Sequence, residues 1–247
     1  MSILHKICKL KKEHINKKKL LISINELEKK ALKAKQTRGF KKALSSSVSR
    51  GNPAIIAEIK KGSPSKGIIA NIFNPKKIAL NYKEGGVTCL SVLSDTPFFY
   101  GSDQDILDVR NTVDLPILRK DFILTEYQVY ETRALGCDCI LLILAILDDN
   151  TLKSLYTLSL ELGMDVLLEI HDQSELYRAL NFDKVMIGIN NRNLNDFSVD
   201  INNTIVLYND IPKSFDVISE SGVSSKEDVI YTINSGIDRF LIGEYFM

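Results

Sequence analysis

Short apolar runs rich in Ile, Val and Leu recur along the chain, separated by longer amphipathic segments. Nearly every position of a run is apolar, which predicts strands covered on both faces, as in a parallel sheet packed between helices. The intervening segments carry helix start and stop signals, such as Thr125 and Gly136 around one segment and Ser225 and Gly236 around another. The eight predicted strands are 54–59, 88–93, 115–122, 138–144, 165–170, 184–190, 216–221 and 239–243.

The alternation of strands and helices indicates an α/β fold built from βα units. Eight units predict a (βα)8 TIM barrel over residues 49–247, preceded by an N-terminal helical extension over 1–48, all in a single domain 1–247. A doubly wound sheet is the alternative, but the first strand lacks the GxGxxG turn that would favour it. GSPSKG is not a Walker A loop either, because that motif ends in Gly-Lys-Ser/Thr and here Ile68 follows Gly67.

The charge balance narrows the classes of partner. Charged residues make up 26% of the 247 positions and the net charge is +1, so no overall field attracts nucleic acid or an anionic membrane surface. The longest apolar stretch, 139–147, is too short to span a bilayer, and the N-terminus lacks a signal-peptide pattern. Lysines concentrate in the first 42 positions, as in KLKKEH, where interleaved glutamates predict a solvated helix face.

The cysteines and histidines suggest no metal site. The four cysteines form no CxxC pair, and the three histidines are scattered. We therefore expect reduced thiols in a cytoplasmic protein, with Cys89 and Cys139 as small core residues.

Polar side chains close nearly every predicted strand. The first strand runs from AIIA into Glu58 and Lys60, whose spacing of two puts both side chains on one face and Lys61 on the other. In a barrel, such strand ends converge on one mouth, where active sites lie, and converging Lys and Glu suit acid–base chemistry. A merely polar rim is the alternative. The later strands end in Ser91, Arg119, Lys120, Asp121, Glu169, His171, Asn190, Arg192, Glu220 and Ser221.

Glycines directly follow the last two strands. SESGV and LIGE place Gly222 and Gly243 at positions where barrel loops bind phosphate, because glycine lets backbone N–H groups approach a ligand. Ordinary turn glycines are the alternative. Together with the charged strand ends, they predict a phosphate-binding barrel with Lys/Glu acid–base chemistry, without naming the reaction.

Six stretches occur in the order and approximate spacing of one known family: AEIKKGSPSKG (57–67), LRKDFI (118–123), LLEIHD (167–172), IGINNRNL (187–194), ISESGV (218–223) and FLIGE (240–244). They resemble the indole-3-glycerol phosphate synthases of tryptophan biosynthesis. The resemblance implies a carboxy-lyase that converts 1-(2-carboxyphenylamino)-1-deoxyribulose 5-phosphate into indole-3-glycerol phosphate by ring closure, decarboxylation and dehydration. It implies no cofactor and no metal.

The same resemblance implies roles for five catalytic residues. Lys120 would protonate the ketone oxygen, Glu169 would be the general base of dehydration, and Glu58 would assist proton transfer. Lys60 would neutralise the anthranilate carboxylate, and Asn190 would orient the substrate and nearby charges.

A second implied set binds the substrate. In it, Phe122 contacts the aromatic ring, Glu220 holds a lysine ammonium, and Ser63 and Pro64 help Lys60. The full set is Ser63, Pro64, Ser91, Phe122, Arg192, Glu220, Ser221, Gly222, Gly243 and Glu244, of which the last four lie near the phosphate. GSPSKG would cover the substrate. We expect His171 to be a rim residue and Asp121 to support Lys120 or cap the following loop.

The chain ends at Met247, four residues after Gly243, where the family continues into a helix over the eighth strand. We therefore expect that outer helix to be missing, which raises the alternative of a barrel that binds a phosphorylated ligand without converting it. A phosphoribosylanthranilate isomerase-like barrel is a further alternative. The expected partner is a small phosphorylated substrate, not nucleic acid or a membrane. We expect a monomer, and a fused or associated tryptophan-pathway domain stays open.

Overall fold

Eight parallel strands form a closed barrel in the computed structural model, which describes residues 3–64, 67–69, 72–193 and 197–246. Each barrel strand pairs with the strands before and after it, and the last pairs with the first. The predicted TIM barrel is therefore confirmed. In chain order the strands are β1 (Ala54–Ile59), β2 (Gly62–Ser63), β3 (Gly67–Ile68), β4 (Cys89–Leu93), β5 (Ile117–Lys120), β6 (Cys139–Ile143), β7 (Asp165–Ile170), β8 (Val185–Asn190), β9 (Asp216–Glu220) and β10 (Arg239–Ile242).

β2 and β3 form a small antiparallel pair outside the barrel, within the loop that follows β1. This pair contains part of the predicted covering loop, whose Ser65 and Lys66 lie outside the described residues. β5 is shorter than its predicted run of 115–122. Pro116, which precedes it, has no N–H for a sheet hydrogen bond.

The helices fill the segments between the barrel strands and the N-terminal extension. The predicted helix start at Ser225 is confirmed, since its side chain accepts a backbone N–H group of the turn that follows. Asp148 caps its helix in the same way. Thr125 precedes its helix without such a bond. The helices are α1 (Ile3–Leu21), α2 (Ile24–Lys33), α3 (Phe40–Ser49), α4 (Pro75–Glu84), α5 (Thr96–Phe99), α6 (Asp103–Thr112), α7 (Glu126–Ala134), α8 (Asp149–Glu161), α9 (Gln173–Ala179), α10 (Asn202–Tyr208) and α11 (Lys226–Asn234), with a 3₁₀ turn at Leu144–Ile146.

Apolar side chains fill the interior of the barrel. Leu118, Leu167 and Ile218 pack there with the buried thiols of Cys89 and Cys139, as predicted for the two cysteines. α3 adds Phe40 and Leu44 to the same cluster and closes the barrel beside the start of β1. Truncating a buried Phe typically costs about 3–5 kcal/mol of stability. A second apolar layer joins the outer strand faces to the surrounding helices.

The helix α1 extends over the opposite, carboxyl end of the barrel. Lys9 and Lys12 are exposed, as predicted for the KLKKEH face. The prediction is wrong for Lys11, which is 3% exposed and whose Nζ lies 2.6 Å from carboxylate oxygens of both Asp95 and Asp121. Among the described helices, none combines the length and hydrophobicity needed to cross a lipid bilayer.

Candidate active site

A cavity of about 690 Å³ lies at the carboxyl end of the barrel strands. All the predicted site residues except Ser91 line it: Glu58, Lys60, Ser63, Pro64, Lys120, Phe122, Glu169, Asn190, Arg192, Glu220, Ser221, Gly222, Gly243 and Glu244. Ser91 stands beside Glu58 in the β1–β4 register, but it is fully buried and does not reach the cavity wall. Ser91 therefore lies at the predicted strand end without lining the cavity.

Lys120, the last residue of β5, occupies the middle of the charged wall. Its Nζ lies 2.6 Å from Glu169 Oε2 at the end of β7 and 2.7 Å from Glu220 Oε2 at the end of β9. Burial alone would favour the neutral amine, but Glu169, Glu220 and Glu58 raise the pKa of Lys120 above its ordinary value. Lys120 is therefore a partly buried ammonium held by two carboxylates.

The two carboxylates around Lys120 differ in their surroundings. Burial works against ionisation of Glu169, but Lys120 and His171 hold its pKa well below the usual range. Glu220 is 1% exposed, and its Oε1 has no hydrogen-bond partner in the described part of the chain. Burial raises the pKa of Glu220 above its ordinary value, against the pull of Lys120. One carboxylate is firmly ionised, and the other takes up a proton far more readily.

Two glycines make room for these carboxylates. A Cβ at Gly188 on β8 would lie 2.0 Å from Glu220 Oε1, and a Cβ at Gly243 would lie 2.5 Å from Glu58 Oε1. No side chain larger than hydrogen fits at either position without moving a carboxylate. Gly243 thus has a steric role beside Glu58, besides the phosphate contact predicted for it.

Glu58 and Lys60 form the second ion pair of the wall. Glu58 Oε1 accepts from Lys60 Nζ at 2.7 Å, and both residues are buried. Their shared face follows from the alternation of side chains along β1, and Lys61 does not line the cavity. The predicted parity of these three residues is confirmed.

Asn190 connects the charged wall to the loop after β8. Its Nδ2 donates to Glu169 Oε1 at 3.2 Å, while its Oδ1 accepts from Ser221 Oγ at 2.9 Å and from the Arg192 backbone at 3.0 Å. Arg192 in turn pairs with Glu244 at 3.0 Å. Leu194, the last residue of the GINNRNL stretch, lies outside the described residues.

The chain turns sharply beside the cavity after β9. Ser221 and Gly222 have φ angles of +64° and +87°, so the backbone is left-handed at two consecutive positions. Backbone N–H groups of a turn at a cavity wall can form a concavity that suits an anion.

A comparison with known families was then decisive. The family described as indole-3-glycerol phosphate synthase matches residues 4–247. The chain belongs to this family. The resemblance seen in the sequence, the activity of a carboxy-lyase of tryptophan biosynthesis, and a phosphorylated small-molecule substrate are thereby confirmed.

Solved structures of other proteins share the fold of this synthase family member at low identity. The N-acetylmannosamine-6-phosphate 2-epimerase from Clostridium perfringens is 15% identical, with 80% of this chain and 88% of that chain covered and a TM-score of 0.61. The tryptophan synthase subunit alpha from Legionella pneumophila is 11% identical, with 83% and 86% covered and a TM-score of 0.60. At these identities the likeness establishes the barrel alone.

The synthase cavity also has an apolar wall, of which the sequence predicted only Phe122. α1 contributes Ile3, Leu4 and Ile7, and the rings of Phe99 and Phe122 lie 6.1 Å apart across the loops after β4 and β5. Such a wall suits the aromatic ring of an anthranilate-derived substrate. The signal was the apolar spacing within a lysine-rich helix, which was interpreted as a solvated surface.

Arg119 does not line the cavity, and Asp121, which does, is paired with other residues than Lys120. Arg119 is 2% exposed and its guanidinium contacts Asp121, Glu131 and Asp103 on the outer side of β5. The carboxylate of Asp121 caps the following loop by accepting the Phe122 N–H at 2.8 Å, as one of its predicted roles requires. It pairs with Lys11 and Arg119, and not with Lys120.

His171 is more than the rim residue that was predicted. Its Nε2 lies 3.4 Å from Glu169 Oε1, and its Nδ1 lies 3.1 Å from Glu175 Oε2. Burial alone would lower the pKa of His171, but Glu169 and Glu175 raise it to about 10. The ring lines a second cavity of about 410 Å³, which shares Asn190 and Arg192 with the first.

Proposed function

We propose that Lys120 and Glu169 carry the proton transfers of indole-3-glycerol phosphate synthesis in this protein. The observation that supports this most directly is the partly buried Lys120 ammonium, held between Glu169 and Glu220 at 2.6 and 2.7 Å at the cavity wall. A fixed, charged donor at that point suits a reaction that develops negative charge on a ketone oxygen.

The first half of the reaction needs an acid. The aromatic carbon that carries the carboxylate attacks the ketone carbon, and Lys120 donates its proton to the ketone oxygen. Lys60 neutralises the carboxylate until CO₂ leaves and its electron pair restores the aromatic ring, with Ser63 and Pro64 beside it. A well-placed acid contributes about 10²–10⁴-fold to such a step.

The second half needs a base. Glu169 removes the C–H proton while the hydroxyl group leaves as water, and Glu58 assists proton transfer. Asn190 positions Glu169 through its amide, and Arg192 orients the substrate. The ionised state of Glu169 supports the role of base, because a carboxylate must be free of a proton to accept one.

We assign the phosphate to the left-handed turn after β9. Ser221 and Gly222 line the cavity there together with Gly243 and Glu244. Because Glu244 pairs with Arg192, its negative charge is offset at this end of the site. Phe122 and the apolar wall bind the ring at the other end.

One fluorescence assay tests these roles. Purified protein is mixed with 1-(2-carboxyphenylamino)-1-deoxyribulose 5-phosphate, and indole fluorescence is recorded. Lys120→Ala should abolish turnover with the fold intact by circular dichroism, and Glu169→Gln should stall the reaction after decarboxylation. Near-normal activity of Lys120→Ala would overturn the assignment. Tight binding without product by the unmodified protein would instead favour a non-catalytic barrel.

We also propose a monomeric, single-domain enzyme that acts in the cytoplasm. The buried free thiols of Cys89, Cys137 and Cys139 support a reducing compartment. Light scattering on the eluted protein should give the mass of one chain, and a dimer mass would contradict the proposal.

A further inference from the structure

We propose that His171, acting through Glu169, relays to Lys120 the solvent proton that every turnover consumes, and that this proton enters by the second cavity. The relay rests on the roles proposed above for Lys120 and Glu169. His171 is a positioning and relay residue in this scheme, because it touches Glu169 and does not line the substrate cavity.

The need for a relay follows from the proton count of the reaction. Protonation of the ketone oxygen consumes one proton, and departure of the hydroxyl group as water consumes another. Removal of the C–H proton returns only one, and the carboxylate leaves as neutral CO₂ without taking a proton. Each turnover therefore takes up one proton from solvent. In the relay, Lys120 regains its proton while the intermediate is still bound.

The substrate blocks the direct route for that proton. Lys120 and Glu169 both face the main cavity, which the substrate fills while the reaction proceeds. The opposite side of Glu169 is different, because its Oε1 lies 3.4 Å from His171 Nε2 and that ring lines the second cavity. The second cavity gives solvent a route to this ring, whose side chain is 14% exposed.

The contacts form a continuous chain from Glu175 to Lys120. Glu175 Oε2 binds both the backbone N–H of His171, at 2.8 Å, and the ring Nδ1, at 3.1 Å, which aims Nε2 toward Glu169. Nε2 has no hydrogen-bond partner within the described ranges, and 3.4 Å is longer than a normal hydrogen bond. Such contacts often tighten only when substrate binds.

The charges around His171 favour its role as donor. The carboxylates of Glu169, Glu175 and Asp172 face the ring, with Asp200 and Arg192 on the same cavity wall. The carboxylates of Glu169 and Glu175 keep the His171 ring protonated at neutral pH. When Lys120 has lost its proton, transfer through Glu169 runs downhill, because an amine binds a proton more tightly than an imidazole does. Water that enters the second cavity then protonates the neutral imidazole again, which restores the starting charge of His171.

The test uses two His171 variants and added imidazole. In the fluorescence assay with the carboxyphenylamino substrate, His171→Gln should lower kcat roughly tenfold to a hundredfold with KM unchanged, because Gln can donate to Glu169 but cannot pass a proton. His171→Ala should lose as much, and imidazole that enters the second cavity should restore most of kcat. Neither effect should occur in His14→Ala, because His14 lines neither cavity.

The outcomes separate the relay from the proposed function. Wild-type kcat in both folded His171 variants overturns the relay, and so does a loss in His171→Ala that imidazole does not restore. If Lys120→Ala and Glu169→Gln also keep their turnover, the proposed function fails as well. If those two lose turnover while the His171 variants do not, the relay alone is wrong. Glu169→Gln should not respond to imidazole, since the proton must pass through Glu169.

Discussion

Three consecutive charged residues, the last two of strand β5 and Asp121 directly after it, enter two different clusters. Arg119 and Asp121 point outward into a cluster with Lys11 and Glu131, beneath the surrounding helices. Lys120 points inward into the cavity wall. The two clusters share one strand and the same residue types, so their difference shows what distinguishes structural from reactive charge.

The outer cluster is saturated. All three guanidinium nitrogens of Arg119 have partners, which include Ser94 at 2.9 Å and Thr132 at 3.2 Å besides the carboxylates. The inner cluster keeps spare capacity, since Glu220 Oε1 and His171 Nε2 lack hydrogen-bond partners in the described chain. A cluster whose charged groups all have partners holds helices and strands together. A cluster with atoms that lack hydrogen-bond partners can take up or release protons.

The largest effect expected from this comparison is on stability, from Arg119→Met. Removal of the guanidinium leaves the buried Asp121 and Glu131 with Lys11 and Lys18 as their remaining cations. Loss of one partner from a buried charge cluster typically costs about 3–5 kcal/mol of unfolding free energy. Urea unfolding followed by circular dichroism measures this loss. Lys120→Ala should show the reverse pattern, with turnover lost and the fold retained.

A surface pair provides the matched control for Arg119. Lys83 and Asp114 lie 2.7 Å apart but are 46% and 77% exposed, so Lys83→Ala should cost less than about 1 kcal/mol. An Arg119→Met protein as stable as Lys83→Ala would contradict a structural role for the outer cluster.

The sequence carried enough information to separate the two clusters. Alternation along a strand was applied to Glu58, Lys60 and Lys61, and the cavity lining agrees with it. The same rule applied to RKD would have placed Arg119 and Asp121 on the face opposite Lys120. The barrel and most of the charged cavity wall were predictable because they depend on the spacing of apolar positions along the chain and on the order of the strands.

Other parts of the site could not be predicted from local pattern. Lys11 resembles its exposed neighbours in KLKKEH, and only contacts with the distant Asp95 and Asp121 make it a buried residue. The fit of Gly188 against Glu220 and the pairing of His171 with Glu175 likewise depend on tertiary distances. A single sequence shows which residues face the mouth, but not which of their atoms lack partners.

A smaller effect should follow from Gly188→Ala, which disturbs only the inner cluster. The added methyl group would displace the Glu220 carboxylate from Lys120, and we expect kcat to fall roughly tenfold. Overpacking should also lower the free energy of unfolding by about 1–3 kcal/mol. Gly85→Ala is the control, because Gly85 has an ordinary helical φ of −70° at the exposed end of α4. Equal activity of the two variants would show that Glu220 need not hold Lys120.

The smallest effect expected is the pH dependence of stability that His171 contributes. Its pKa is raised to about 10 in the folded protein, so its stabilising contribution is complete below the ordinary value of about 6.5 and is lost as pH rises toward 10. The difference in unfolding free energy between the unmodified protein and His171→Gln should therefore shrink as pH rises from 6.5 toward 10. We expect it to shrink by about 2 kcal/mol, after allowance for the partly exposed ring.

Lys83→Ala again serves as the control. Its unfolding free energy, plotted against pH, should run parallel to that of the unmodified protein from pH 6.5 to 9. A constant gap between the unmodified protein and His171→Gln would show that the imidazole is not held as a cation by Glu169 and Glu175. Convergence would place a titrating group in the inner cluster, next to the ionised base. The outer cluster, whose charges are all paired, should add nothing to this slope.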